Sequence, residues 1–587
     1  MALPGIRFEV ARPAPPPLGL RTDRVALIAL TERGPVETPT LVAGPDTFVA
    51  LFGCPLPGTL GALAAHQAFE NGAQELVVTR FVPTEGASVA TGTLPLTSGA
   101  TLPLRLREPG AFGDRVSVLS DLERVGSRAG TQVAADELDI PDLVAGDLGR
   151  FALVHAALGD FWVRIGDVTG TVARVTPPLP TGSAPVLVEL FEPTFGLRIR
   201  EPGRADVRVS GLDLSDTEAL REALAPTLLE LDSSVLPASD LPMPGGVAPF
   251  SGGSDGLEGM PLEDPAHLDA LADSFRAALD ALDLSDLPDL VVAPDLWSRI
   301  WRTKGVDRLA FDVERATQLG DEMVRRAALT RDRVVLVDPP LGGASGLEPS
   351  TVDEVEQWRF ERERTFASDR DYAAMAFPWV RIESEVAFRG DVTMRFPPSA
   401  TVAGRMALVS RERGPWVSAG DEPLEAILGP EAPLRLRDEE RLQEVGVVPL
   451  LQSAGTTRIR GVRSLAYPDR PLWRFLTTRR LFNLLQRILP PVGRSYVFEP
   501  NDPRTWVQLH RELDSVMRAL YDRGALAGST PRQAYFVRVD ERLNPESERD
   551  SGTLNAEIGL APALPLEFIV VRLAVRGEDV ELREAIR

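Results

Sequence analysis

The spacing of apolar residues divides the chain into segments of different structural type. Apolar runs at residues 25–30 and 75–82 predict buried strands, and the stretches 45–53 and 60–72 between them predict helices. A strand, two helices and a second strand are typical of an α/β domain. We therefore predict that an α/β core begins near residue 21.

The pattern changes between about residues 99 and 245. Short alternating runs such as LPLRLRE, RVSVLSD and PVLVELFE are separated by Gly, Pro and Asp, and only residues 215–226 predict a helix. This stretch predicts a mostly β domain inserted into the α/β core.

The α/β pattern resumes after the insertion. Residues 267–282 and 321–329 predict helices, and residues 289–294 and 332–340 predict strands. Alternation of this kind favours a largely parallel sheet covered on both faces.

Two strong helices are predicted in the last part of the chain, at residues 473–489 and 502–524. In the second, Asp502 is a suitable N-cap, Pro503 suits the first turn and Gly524 ends the helix. Six side chains of this helix share one face, which is a candidate functional surface: Trp506, Leu509, Leu513, Val516, Leu520 and Tyr521. Such a face is either core or a groove for a partner, and base rates favour core.

Each end of the chain holds a strand-forming segment. Near the start, Ile6, Phe8 and Val10 alternate with polar residues, and the stiff stretch 13–17 follows. Near the end, an apolar strand carries four candidate residues, Phe568, Val570, Leu573 and Val575. Because an unpaired strand edge invites another strand, each segment either joins a sheet of its own chain or serves as an arm for a neighbouring one. The pattern leaves open which part of the C-terminal end crosses to a neighbour.

Composition excludes several classes of function. A net charge of −22 argues against a nucleic-acid binder and against a polybasic membrane-surface protein. No apolar run approaches the roughly 18 residues of a membrane helix, and the first residues lack the features of a secretory signal. We expect a soluble chain that folds in the cytoplasm, without direct membrane insertion.

The residue inventory also gives no metal or catalytic site. Cys54 is the only cysteine, the four histidines are scattered, and Lys304 is the only lysine, which excludes an internal disulfide and a P-loop. Residues 252–256, GGSDG, fit the G-x-S-x-G nucleophile motif but lack a strand before and a helix directly after, so a glycine-rich turn is favoured. We therefore expect no catalytic residue, no metal, no cofactor and no enzymatic activity.

Several stretches together resemble a known family. They include EPGAFGDRVSV at residues 108–118, SDRDYAAMAFPWVRI at 368–382, FPPSATVAGRMALVSRERGPWVSAGDEPL at 396–424, and VFEPNDPRTW and QAYFVRVDERLNP further on. In collinear order from about residue 4 to 575, the chain resembles the tail sheath proteins of contractile phage tails and of extracellular contractile injection systems. It departs at Arg460, where the family usually has Trp before Gly461, and residues 119–245 show little that matches.

The resemblance implies an architecture of several domains. It implies an N-terminal arm at residues 1–20 and a subtilisin-like α/β core at 21–98 and 246–454. A mostly β, outward-facing insertion would occupy 99–245, an α+β inner domain facing the tube 455–576, and a C-terminal extension or arm 577–587.

The resemblance also implies a function. It implies a structural subunit that polymerises around an inner tube and contracts to drive that tube through a target envelope, with subunits linked by exchange of terminal strands. The implied partners are further copies of the chain, the inner tube protein, baseplate and terminator or cap proteins, and sheath paralogues, within a phage tail or an injection particle. The alternative is a secreted or surface-displayed adhesive protein that uses the β insertion.

Overall fold

The structure is a computed structural model. It describes residues 21–586 apart from the short segments 181–184, 233–239, 258–264, 286–287, 299–301, 305–308, 343–347, 362–368, 384–392, 467–469, 564–568 and 577–578. The chain separates into two compact units, Met1–Val82 with Pro261–Arg587, and Pro83–Met260.

Strands and helices alternate along the first unit, whereas strands dominate the second. The strands are β1 (Val25–Ala29), β2 (Thr40–Val42), β3 (Leu76–Arg80), β4 (Ala87–Pro95), β5 (Thr101–Pro109), β6 (Ser117–Ala134), β7 (Glu137–Asp139), β8 (Phe151–Ala156), β9 (Gly159–Thr169), β10 (Val172–Thr176), β11 (Pro185–Arg200), β12 (Val207–Leu212), β13 (Leu229–Leu231), β14 (Val247–Pro249), β15 (Ser254–Asp255), β16 (Leu290–Val292), β17 (Arg302–Lys304), β18 (Leu309–Phe311), β19 (Val334–Val337), β20 (Ala373–Phe377), β21 (Val380–Glu383), β22 (Thr393–Phe396), β23 (Gly429–Pro430), β24 (Val447–Ser453), β25 (Thr456–Ile459), β26 (Tyr535–Arg538), β27 (Thr553–Leu560), β28 (Ile569–Arg576) and β29 (Asp579–Ile586). The helices are α1 (Pro45–Phe52), α2 (Gly61–Glu70), α3 (Thr217–Leu224), α4 (Pro265–Asp283), α5 (Val313–Thr330), α6 (Val352–Glu361), α7 (Ser399–Arg413), α8 (Leu436–Glu444), α9 (Leu476–Arg494), α10 (Pro503–Asp522), α11 (Pro531–Ala534) and α12 (Glu546–Asp550).

The first unit is built on an eight-stranded sheet in the order β2-β3-β1-β16-β19-β20-β24-β25. The six inner strands run parallel, and β2 and β25 are antiparallel to their neighbours at the two edges. The parallel strands are short, apolar and almost fully buried, as expected when helices cover both faces. The prediction of a mixed α/β architecture with several domains is therefore confirmed.

Close packing of α2 against α7 covers part of this sheet. A Cβ atom at Gly404 would lie only 2.3 Å from the carbonyl oxygen of Ala68, so no larger residue fits without separating the two helices. The core beneath includes Val25, Leu76 and Met406.

A second core belongs to the end of the first unit, which we name the C-terminal module (the described residues between 470 and 586). There α9 and α10 pack on a four-stranded antiparallel sheet in the order β26-β27-β28-β29. The start of α9 reaches back into the first core through Leu476.

Two helix boundaries differ from the prediction. The helix predicted to stop at residue 489 continues as α9 through Pro490 and Pro491 to Arg494, because loss of two N–H donors does not outweigh continued packing of that turn, in which Gly493 is buried. The helix predicted from residue 321 begins at Val313, where the Asp312 side chain accepts a hydrogen bond from the Arg315 N–H at 3.0 Å.

The second unit contains a closed barrel and a smaller sheet. Strands β6, β11, β8, β9, β10 and β7 pair in a ring of antiparallel neighbours, and their inward-facing side chains form an apolar core. A four-stranded sheet, β13-β5-β4-β15, has its own apolar core with α3.

Candidate assembly surfaces of the C-terminal module

The C-terminal apolar strand lies inside the sheet of its own module. β28 pairs with β27 along its whole length, from Ile569 opposite Leu560 to Arg576 opposite Thr553. On its other side it pairs with β29, which lies within the predicted C-terminal extension. Both edges of β28 are therefore occupied within one chain, and β26 and β29 are the outer strands of this sheet.

The register places three of the predicted arm residues in this sheet. Leu573 and Val575 pair with Ala556 and Leu554, which are both buried, and Val570 pairs with Gly559. Phe568 and the N-terminal candidates Ile6, Phe8 and Val10 lie outside the described residues.

Glycine at position 559 of β27 allows close contact with the neighbouring strand β26. A Cβ atom at Gly559 would lie 2.1 Å from the ring of Phe536 on β26. Glycine at this position allows the aromatic ring to lie against the backbone of β27.

The candidate face of α10 packs inside the module. Trp506, Leu509, Leu513, Val516 and Leu520 are buried and Tyr521 is half-buried, all in one cluster with α9 and β27. The Trp506 indole donates a hydrogen bond to Asn501 Oδ1 at 2.7 Å, and Asn501 Nδ2 donates to the Thr553 carbonyl at 2.9 Å. These bonds tie the start of α10 to the start of β27.

The opposite face of α10 is exposed and carries three arginines, of which Arg518 is ion-paired at 3.1 Å to Asp522 on the same side of the helix. Arg504, Arg511 and Arg518 are seven residues apart and therefore share one side of the helix, with Gln508 and Ser515 between them. We call these five residues the basic stripe. The loop before the helix adds an exposed aromatic side chain, Phe498, which is 91% exposed.

The module differs in charge from the rest of the protein. Residues 470–586 contain seventeen arginines and sixteen acidic residues, a net charge of +1, although the whole chain has a net charge of −22. The basic stripe therefore belongs to a nearly neutral segment of a strongly acidic chain.

Two arginines that the sequence did not single out are buried on α9. The side chains of Arg479 and Arg480 are 3% and 2% exposed, and each is ion-paired to a buried aspartate, Asp371 and Asp289 respectively. The Arg479 guanidinium also lies 4.1 Å from the centre of the Tyr372 ring. The available signal was an Arg-Arg pair inside the apolar helix stretch TTRRLFNLL.

Two buried carboxyl groups lie at the carboxyl ends of the parallel strands. Asp295, after β16, accepts hydrogen bonds from the backbone N–H groups of Leu30 and Leu60. Asp338, after β19, accepts from the Ser399 N–H at 2.8 Å and from its hydroxyl at 2.6 Å, at the start of α7. Burial raises the pKa of each carboxyl to about 7, although these hydrogen bonds oppose the shift. Both groups serve as internal partners of helix starts.

The remaining sequence candidates occupy structural positions. Ser254 of the GGSDG stretch lies on β15, which pairs with β4, and its hydroxyl accepts the Gly256 N–H at 3.0 Å in a turn. Arg460, at the position where the family usually has Trp, bonds Asp421 at 3.0 Å and Glu439 at 3.2 Å. Within the described segments, no cluster of three potential metal ligands was found. A search of the same segments finds no helix with the length and apolarity to span a membrane.

Comparison with known proteins identifies the module. Residues 469–576 match the family described as phage tail sheath C-terminal domain. The tail sheath protein of Vibrio phage KVP40 is 26% identical over 195 residues, which cover 32% of this chain and 28% of that protein. The tail sheath protein of Burkholderia phage BcepMu is 25% identical over 221 residues, which cover 36% of this chain and 44% of that protein. The chain thus aligns with less than half the length of these relatives.

A solved structure extends the likeness to the fold of the whole chain. The crystal structure of a sheath tail protein from Listeria innocua superposes with a TM-score of 0.57 at 11% identity and covers 96% of each chain. At this identity the likeness is one of fold. The chain therefore carries a phage tail sheath C-terminal domain, and its resemblance to the contractile tail sheath family is confirmed.

Proposed function

We propose that this protein is a structural subunit of a contractile sheath, which polymerises around an inner tube and contracts to drive the tube through a target envelope. The observation that carries the proposal is the sheath C-terminal domain at residues 469–576, supported by tail sheath relatives. These relatives are structural proteins, in line with a role that needs no catalysis. The comparisons lend no support to the alternative of an adhesive protein.

Subunits are linked, in this proposal, through the sheet of the C-terminal module. The outer strands β26 and β29 each have one edge without a pairing strand among the described residues, and such an edge accepts a further strand. The N-terminal strand of a neighbouring subunit, with Ile6, Phe8 and Val10, supplies that strand, while β28 with Val570, Leu573 and Val575 lies inside the shared sheet. Five or six inter-strand hydrogen bonds at about 0.5–1.5 kcal/mol each, plus apolar burial, would hold the subunits through a large motion.

The basic stripe faces the inner tube in this proposal. Its arginines stand on the exposed side of α10 in a nearly neutral segment of a strongly acidic chain, and charge complementarity predicts an acidic surface on the tube. Further partners in the particle are other copies of this chain, the baseplate, terminator or cap proteins and sheath paralogues. The particle is a phage tail or an injection device assembled in a bacterial cytoplasm.

Electron microscopy of the purified protein tests the assembly. We expect hollow tubes or striated cylinders from the full chain, and folded protomers without tubes after removal of residues 1–12. A monodisperse particle from the full chain would contradict the sheath function. Normal tubes from the truncated chain would contradict strand exchange alone.

Charge reversal tests the inner surface. The triple substitution Arg504→Glu, Arg511→Glu and Arg518→Glu should abolish co-assembly with the tube protein while leaving the module folded, because all three side chains are exposed. The control reverses three arginines of the second unit, Arg124, Arg174 and Arg208, which are also exposed. Equal loss of tube binding in both variants would contradict a specific role for the stripe.

A further inference from the structure

Helix α9 contacts the segments from which both ends of the chain emerge. We propose that α9 fixes the positions of these two segments, residues 21–24 and the strands β28 and β29, relative to the α/β sheet. Arg479 and Arg480 are the positioning residues that set the place of α9 itself. The inference rests on the proposed function only in that strand exchange would use the two ends. The positioning itself is a property of the single chain.

Polar contacts of α9 fall at the amino ends of three neighbouring parallel strands, β16, β19 and β20. Arg480 binds Asp289, directly before β16, and Arg479 binds Asp371, two residues before β20. Asn483 Nδ2 donates to the Arg333 carbonyl, directly before β19, at 2.9 Å. One helix therefore makes polar contacts with residues just before three neighbouring strands.

The same helix binds the segment that leads into β1. Arg480 Nη2 donates to the Thr22 carbonyl at 3.0 Å, and Arg487 Nη1 donates to the Arg21 carbonyl at 3.3 Å. Residues 21 and 22 directly follow the predicted N-terminal arm. Together with the ion pair between Arg21 and Glu75, these bonds to α9 fix the exit point of that arm.

The other side of α9 packs against the last two strands of the chain, β28 and β29. The helix contacts both β28 and β29, and its apolar residues Leu481, Leu485 and Leu489 are buried in the core of the module. The position of the sheet that would receive a neighbour's strand is therefore tied, through this helix, to the exit point of the N-terminal arm.

Buried ion pairs suit this positioning role because they tolerate no sliding. A shift of α9 by one residue would leave Asp289 and Asp371, 1% and 3% exposed, without their counter-charges in a low dielectric. The fork of Arg480 also spans several acceptors at once, since it donates to Asp289, the Thr22 carbonyl and the Ser410 hydroxyl. Apolar packing alone permits small rotations that this network forbids.

Spin labels on the full chain test the inference. Cys54 is the only natural cysteine and is exposed in the loop after α1, so a second label at Ser515→Cys on α10 gives one distance between the α/β core and the module. We expect a narrow distance distribution in the labelled parent and in the control Arg494→Met, an exposed arginine of the same helix. The distribution should broaden at least twofold in Arg479→Met/Arg480→Met and in the apolar pair Asp289→Leu/Arg480→Met. An unchanged width in either variant, folded by circular dichroism, would overturn the proposal.

Hydrogen exchange on the unaltered chain provides a second test that needs no folded variant. If α9 fixes both segments, one common opening event should expose two sets of amides: those of residues 24–27, at the start of β1, and those of β28. Both sets should then report the same free energy of opening. Separate openings that differ more than tenfold in population would refute it. Both tests use unassembled protein, so a failure of sheath assembly would leave their result unaffected.

Discussion

Replacement of Arg480 by Met is the substitution whose effect on stability the structure defines most sharply. It removes the guanidinium that pairs with Asp289 and donates to the Thr22 carbonyl, and it leaves the aspartate 1% exposed without a counter-charge. Breaking a buried ion pair from one side costs about 3–5 kcal/mol, because the remaining charge stays desolvated. We expect a loss of this size in the free energy of unfolding of the first unit.

The partner substitution separates the charge effect from packing. In Asp289→Leu/Arg480→Met both charges are gone, and replacement of a buried pair by apolar side chains is often close to neutral, so the double variant should recover all but about 1–2 kcal/mol. The exposed pair Arg518–Asp522, with side chains 54% and 55% exposed, is the control, and Arg518→Met should cost less than about 1 kcal/mol.

Urea unfolding followed by tryptophan fluorescence measures these differences. The four chains of the Asp289/Arg480 cycle give the coupling energy directly. A coupling energy below about 1 kcal/mol, or a double variant no more stable than Arg480→Met, would refute the reasoning that α9 is held by charge in a buried site.

Three further predictions concern packing, pH and the basic stripe. Gly404→Ala should destabilise the protein by about 1–3 kcal/mol, because the added Cβ would clash with the backbone of α2. Gly320→Ala, where α5 has open space around the added Cβ, should stabilise it by about 0.5–1 kcal/mol. Equal shifts of the melting temperature in the two variants would contradict this. Because burial raises the pKa of Asp295 and Asp338 from 3.8 to about 7, their contribution to stability is present below pH 4 and is lost as pH rises through 7. Melting curves of Asp295→Asn/Asp338→Asn should therefore depend less on pH over that range, and parallel pH profiles would refute it. Tube binding by the basic stripe should weaken as salt rises from about 50 to 500 mM in co-sedimentation, and salt-independent binding would contradict an electrostatic contact.

The strand order of the C-terminal sheet limits where a neighbour's strand can join it. In the single chain β28 already has a strand on each side, so its pairing capacity is used within the chain. A neighbour's strand would therefore join at β26 or β29, or take the place of β29. Deletion of residues 577–587, which removes β29, tests one of these routes: loss of tubes would indicate that the neighbour joins at β29, and intact tubes would leave β26 or replacement of β29.

The nearly neutral C-terminal module differs in net charge from the rest of the chain. The rest of the protein is strongly acidic, and exposed Arg–carboxylate pairs such as Arg441 with Glu356 lie on its surface. Exposed pairs of this kind are individually weak, at about 0–1 kcal/mol each.

Local patterns in the sequence were sufficient for the elements that depend on near neighbours. The apolar runs of β1 and β3, the Asp502 cap of α10 and the buried face of that helix follow from periodicity and capping chemistry, because these signals are read within a few residues. The motifs shared with sheath proteins likewise lie in continuous stretches.

Only the tertiary structure decided which distant groups meet. The closure of the six-stranded barrel, the two partners of β28 and the pairing of Arg480 with Asp289, which lie 191 residues apart, depend on the path of the whole chain. A residue pattern shows that a side chain is charged or apolar, but the free energy of a buried ion pair depends on desolvation and on a partner that the fold supplies. For this reason the residue pattern identified strand-forming segments at the ends of the chain, and only the structure identified the contacts of α9 with the segments next to those ends.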